Sequence, residues 1–115
     1  MASQREVRIA KNQAMFRAVN ERMTAWPERQ DAPAGDMLMF YCECADEHCF
    51  ERVYLTAREY EEIRADSSRF AVADGHVYPE AERVVAEREG LEVVEKNEDL
   101  RGIVEGTDPR RGAYS

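Results

Sequence analysis

Residues 40–55 read FYCECADEHCFERVYL, and this stretch holds all three cysteines of the 115-residue chain, at positions 42, 44 and 49. Runs of β-forming residues flank it, MLMFYC before and FERVYL after, with charged Glu51 and Arg52 set among Phe50, Val53 and Leu55. The pattern predicts a hairpin whose connection is the cysteine segment. Thiolates are soft donors that suit zinc, copper(I) or an iron–sulfur cluster, and three on one tight turn converge on an ion with little loop entropy to overcome. Thiols packing as small apolar groups would not need the C-x-C-x4-C spacing beside Asp46 and Glu47, so Cys42, Cys44 and Cys49 are read as metal ligands. Copper(I) accepts three donors, whereas a structural zinc asks for a fourth, and the chain offers His48 and His76.

His48 adjoins Cys49 and resembles the end of the SEC-C type zinc motif, in which a C-x-C pair is followed by a cysteine with a cysteine or histidine beside it. That motif is longer and rich in glycine. His76 follows Gly75 in a turn that could aim an imidazole back across the sheet, which would crosslink the hairpin to the second half of the fold. Strand order decides whether it arrives. A strand 69–73 running parallel to 50–55 in register, at about 3.3 Å per residue, would carry His76 away from Cys49.

Outward from the hairpin, QREVRIAKNQAMFRAVNERMTAW predicts a helix over 4–26, with neither Gly nor Pro before Pro27. Ile9, Asn12, Phe16, Val19, Met23 and Trp26 fall on one stripe, either packed on the protein's own sheet or offered to a partner or a second copy. Residues 27–36 read as a linker. TARE at 56–59 is a capping-box signature that opens a short helix over 57–65, with Tyr60 and Ile63 inward. RFAVA predicts a third strand and DGH a turn. Pro79 is expected to start a helix through EAERVVAERE that Gly90 ends, and LEVVEK a fourth strand. These elements amount to an α+β domain over residues 1–96, with core 37–96: a long N-terminal helix, a small, mainly antiparallel sheet of about four strands and two short helices. Residues 97–115 read as a loosely docked tail anchored by Leu100, Ile103 and Val104.

With 43% hydrophobic and 35% charged residues the composition is that of a folded globular chain. No apolar run approaches the roughly 20 residues of a membrane span, and MASQREVRIAK lacks the apolar core of a signal peptide, so a cytoplasmic location is expected. There thiols stay reduced, which favours metal ligands over disulfides. The net charge of −8 is uneven: residues 1–30 carry six Lys/Arg against three acids, and the remainder carries ten against twenty-one. That excess of negative charge disfavours direct binding of the body to nucleic acid.

The frame FYCECADEHCFERVYLTAREYEEIRADSSRFAVADGHVYPEAERVVAE, with RIAKNQAMFRAVNERM before it and LEVVEK after, resembles a group of small bacterial proteins typical of high-GC Gram-positive genomes. The shared elements are F-x-C-E-C, a third cysteine, L-T-x-x-E-Y, a phenylalanine-bearing strand and G-H before P-E. They fall on Cys42, Cys44, Cys49, Tyr60, Phe70, Gly75, His76 and Pro79. The resemblance implies His76 as fourth ligand, with His48 the alternative, and implies no activity. Three cysteines and a histidine are also the ligand set of mitoNEET-like proteins, which hold a [2Fe–2S] cluster, although the spacing here departs strongly from theirs.

A catalytic zinc keeps an open position and a nearby base, for which Glu43 or Glu47 would serve. Cys49 beside His48 would suit a thiol nucleophile, but neighbours in an extended strand point to opposite faces. No phosphate loop, dinucleotide fingerprint or nucleophile elbow occurs. The expectation is a zinc protein with a structural Cys3His site that acts through protein contacts by way of Ile9, Phe16, Val19, Met23 and Trp26. A [2Fe–2S] or thiol redox sensor is the first alternative, and a small zinc hydrolase the second.

Overall fold

The computed structural model describes residues 2–112; Met1 and the end of the expected tail, residues 113–115, lie outside the described residues. The chain opens with α1 (Gln4–Thr24), capped by Ser3: Glu6 N donates to Ser3 Oγ at 3.1 Å and Ser3 N to Glu6 Oε1 at 3.2 Å. This helix stops two residues before Trp26. The expected linker contains a single helical turn, α2 (Pro27–Gln30), with proline at its start where a missing N–H costs nothing.

Five strands follow, in two sheets, instead of about four in one. β1 (Leu38–Tyr41) and β2 (Arg52–Leu55) form the cysteine hairpin in antiparallel register, Phe40 opposite Val53. β2 alternates strictly, Val53 and Leu55 inward and Arg52 and Tyr54 outward, as the period of two demands. Thr56 then caps α3 (Ala57–Arg64), with both capping-box bonds formed. Tyr60 stacks on Phe40 with ring centroids 4.3 Å apart, which fixes α3 against the hairpin.

The second sheet has the order β3 (Arg69–Val72), β5 (Leu91–Lys96), β4 (Glu82–Arg88), all antiparallel. The expected helix over 79–89 is therefore β4, a strand hairpinned to β5 through Glu89 and Gly90, with Gly90 at φ 78°. Ala, Glu and Arg favour a helix locally, yet Val84 and Val85 are β-branched, and pairing with LEVVEK overrides the local preference. Val85 is the extra residue of a bulge between Val84 and Ala86.

Consecutive amides of the cysteine segment join the two sheets: Cys42 N donates to Glu51 O at 2.9 Å and Glu43 N to Ala71 O at 2.8 Å. β3 thus lies beside the continuation of β1 and not beside β2.

The inner face of α1 is not the apolar stripe. Ile9 and Met23, expected among the partner-facing positions, are buried in the protein's own core, whereas Phe16 and Val19 are half-buried and Trp26 is 51% exposed. The fully buried positions are Ala10, Gln13, Arg17 and Asn20. Each of the three polar ones reaches a different part of the fold. Gln13 donates to Glu82 Oε1 at 2.8 Å, the carboxylate that also pairs with buried Lys96 at 2.6 Å. Arg17 lies over the Phe70 ring and donates to Ser67 O and Val104 O. Asn20 reaches the cysteine segment.

The chain beyond residue 96, read as a loose tail, forms a 3-10 turn (Glu98–Leu100), α4 (Arg101–Gly106) and α5 (Pro109–Gly112). Leu100 and Val104 are completely buried, Ile103 partly. Buried Arg64 ion-pairs with Asp108 and with Glu21, the latter at 2.5 Å, and Arg110 adds bonds to Glu21 and Glu61. Burial pushes the Asp108 carboxyl up, but the Ser67 hydroxyl and the Arg64 guanidinium more than offset this and hold it at about 2.

Candidate metal centre

β1 delivers Cys42 and Cys44 from its C-terminal continuation. The loop to β2 is shaped by Asp46, whose carboxylate accepts from His48 N at 2.9 Å and whose carbonyl accepts from Cys49 N at 2.9 Å. This turns Cys49 back toward the first two cysteines. His76 arrives from the other sheet. After β3, Ala73 O accepts from His76 N at 3.0 Å across a tight turn whose third residue, Gly75, has φ 79°. Only glycine takes that backbone without strain in such a turn. Gly75 N donates to Glu92 Oε1 at 2.6 Å, which ties the turn to β5.

The structure brings Cys42, Cys44, Cys49 and His76 together, one donor atom from each, all within 4.8 Å of one another. Cys42 Sγ and Cys49 Sγ each stand 3.5 Å from His76 Nδ1. A zinc tetrahedron with Zn–S of about 2.3 Å and Zn–N of about 2.0 Å has an S···N edge of about 3.5 Å, which the two sulfur-to-imidazole distances match. The thiols are buried and the imidazole is half-buried. Ala73 N lies 3.2 Å from Cys42 Sγ, an N–H aimed at sulfur of the kind that stabilises a thiolate. A hydrogen bond from Cys42 holds the Cys44 thiol down at about 5, against the opposing push of burial; the same bond, with burial, drives Cys42 up.

His48 takes no part in this group. Its side chain is 87% exposed and its nearest charged neighbour is the Glu47 carboxylate at 3.9 Å. Glu43 is not a base for a bound water either. It is completely buried on the side of the strand away from the thiols: Oε2 accepts from Asn20 Nδ2 at 2.8 Å and Tyr60 Oη at 2.7 Å, and Oε1 from Ala71 N at 3.0 Å. Burial pushes its carboxyl up, and those three donors oppose the push. In the sequence this residue reads as a candidate base beside an open metal; the signal for its buried role is its place between two ligands, where strand alternation turns it inward. Asp46, His48 and the Cys49 side of the group border a shallow surface depression with Phe50 and Arg52, and Phe50 is 74% exposed.

Comparison with known proteins finds no matching family model, no curated relative and no solved structure. Among the described residues no helix is long and apolar enough to cross a membrane.

Proposed function

We propose that the chain is a cytoplasmic zinc protein in which Cys42, Cys44, Cys49 and His76 hold one structural ion, and that it acts without catalysis as an adaptor or regulator through protein contacts. The observation that carries the metal reading is the convergence of the four donors within 4.8 Å of one another, with two sulfurs 3.5 Å from the imidazole nitrogen. Four protein donors close the coordination sphere and leave no position for water, which argues against a hydrolase. A [2Fe–2S] core distributes two ligands to each of two irons and needs the pairs farther apart than these atoms stand, so a single ion fits better. The adaptor reading is supported by the exposed apolar side chains Trp26, Met37, Phe50 and Tyr54. Of the helical positions expected to reach a partner, Trp26 is exposed and Phe16 and Val19 are half-buried, while Ile9 and Met23 serve the core. The resemblance to small bacterial proteins of high-GC Gram-positive genomes belongs to the same reading.

The test is elemental analysis with an ultraviolet–visible spectrum on protein purified anaerobically without added metal. One zinc per chain and a colourless solution are expected; iron, sulfide and visible absorption would replace the zinc with a redox centre.

A further inference from the structure

The C-E-C spacing has a second product besides two converging thiols. In an extended segment successive side chains alternate, so when Cys42 and Cys44 face the ion the carboxylate between them must face the opposite way, into the body of the protein. A carboxylate there is expensive to bury unless every strong donor around it is satisfied. Glu43 meets that demand with three bonds, and each comes from a different element: Asn20 from α1, Tyr60 from α3 and the Ala71 amide from β3. Asn20 does more than donate to the carboxylate. Its Oδ1 accepts from Tyr41 N at 3.0 Å and its Nδ2 also donates to Tyr41 O at 2.9 Å, so the amide pairs with the backbone one residue before Cys42 as a neighbouring strand would. Asn12 repeats the device on the far side of the motif, where Nδ2 donates to Ala45 O at 3.1 Å. Residues 41–45 are therefore clamped at both ends by α1 and pinned at the centre by Glu43.

We infer that Glu43 is a positioning residue for the metal site: by locking the backbone between Cys42 and Cys44 to α1, α3 and β3, it fixes the convergence of the two thiols before the ion arrives. The inference rests on the zinc reading. It distinguishes Glu43 from the other buried acids, since Glu82, Glu95 and Asp108 are paired with Lys96, Arg83 and Arg64, whereas Glu43 takes its bonds from neutral donors and abuts both ligands in sequence. Preorganisation of this kind appears in the ligand field and in metal affinity, both of which a loss of global stability leaves alone while the metal-free chain stays folded.

The experiment is anaerobic cobalt(II) titration of the full chain, with competition by zinc to obtain affinity, on wild type, Glu43→Gln, Tyr60→Phe and Val104→Ala. Tyr60→Phe keeps the stack on Phe40 and removes one bond to the carboxylate, so it informs even where Glu43→Gln folds poorly. Val104→Ala is a destabilised control that opens a cavity under α4. The expected result is one cobalt per wild-type chain with thiolate-to-cobalt charge transfer, an affinity about ten- to a hundred-fold lower with shifted ligand-field bands in Glu43→Gln, a smaller loss in the same direction in Tyr60→Phe, and none in Val104→Ala. Wild-type affinity and spectrum in Tyr60→Phe and in folded Glu43→Gln, or losses in Val104→Ala as large as theirs, would overturn the positioning role while leaving the metal site standing. A wild-type chain that takes up no cobalt would overturn both.

Discussion

His48 and His76 are the same chemical group with opposite fates, and the difference is made by backbone. Asp46 caps the loop in a way that leaves the His48 ring 87% exposed, while a glycine turn returns His76 to within 3.5 Å of two sulfurs. His76→Ala should thus lose metal on mild chelation and His48→Ala should retain it, as read by metal content after dialysis. Cys44→Ser should lower both zinc stoichiometry and the thermal midpoint, because binding energy in a structural site is folding energy; an unchanged melting curve would sink the role given to Cys44. The three thiols were legible because their spacing has no use in a core. Gly75 and His76 were legible as a turn, but nothing local shows which strand the turn follows into space; that depended on β3 lying beside the continuation of β1. Glu43 was legible as a candidate base, and its buried role was illegible for a related reason. Its partners are 17 to 28 residues away in sequence, so no local pattern names them.

Elements were legible where local signals and tertiary demands agreed. The capping box at Thr56 is one such case, and Thr56→Ala should cost about 1 kcal/mol in denaturant unfolding, through loss of the bond from Glu59 N. They were misread where the two conflicted. β4 carries helix formers and is a strand because β5 needs an edge partner; its valine pair and the Glu89–Gly90 turn were the contrary signs. The inner face of α1 was misread because an apolar stripe is the ordinary mark of a buried face, and here Gln13, Arg17 and Asn20 are inside, each bonded to a distant element. Removing residues 1–30 should accordingly abolish cooperative unfolding and not merely partner capture. A truncated chain with a wild-type melting transition would return α1 to the role of an accessory helix.

At the scale of the whole molecule, the polar interior does what a larger apolar core would do in a longer chain. Asp108 joins the last helices to α3 through Arg64, and Asp108→Asn should destabilise by about 3 kcal/mol in equilibrium unfolding, since it removes one partner of a buried ion pair while Glu21 remains. The Cys3His group links the hairpin to the turn after β3, so, with zinc as the proposed ion, its removal under reducing conditions should lower the thermal midpoint and its return should restore it. The arrangement around Arg17 also bears on biosynthesis. Its two terminal guanidinium nitrogens donate to the carbonyls of Ser67 and Val104, and nearby Glu21 accepts from Arg64 and Arg110. The polar side chains of α1 therefore wait for partners translated 21 to 89 positions later, at roughly 5–20 residues per second. Asn20 finds Tyr41 and Glu43 early, but until Glu82 and Val104 are made Gln13 and Arg17 have water or a chaperone for company, so the native state is completed late.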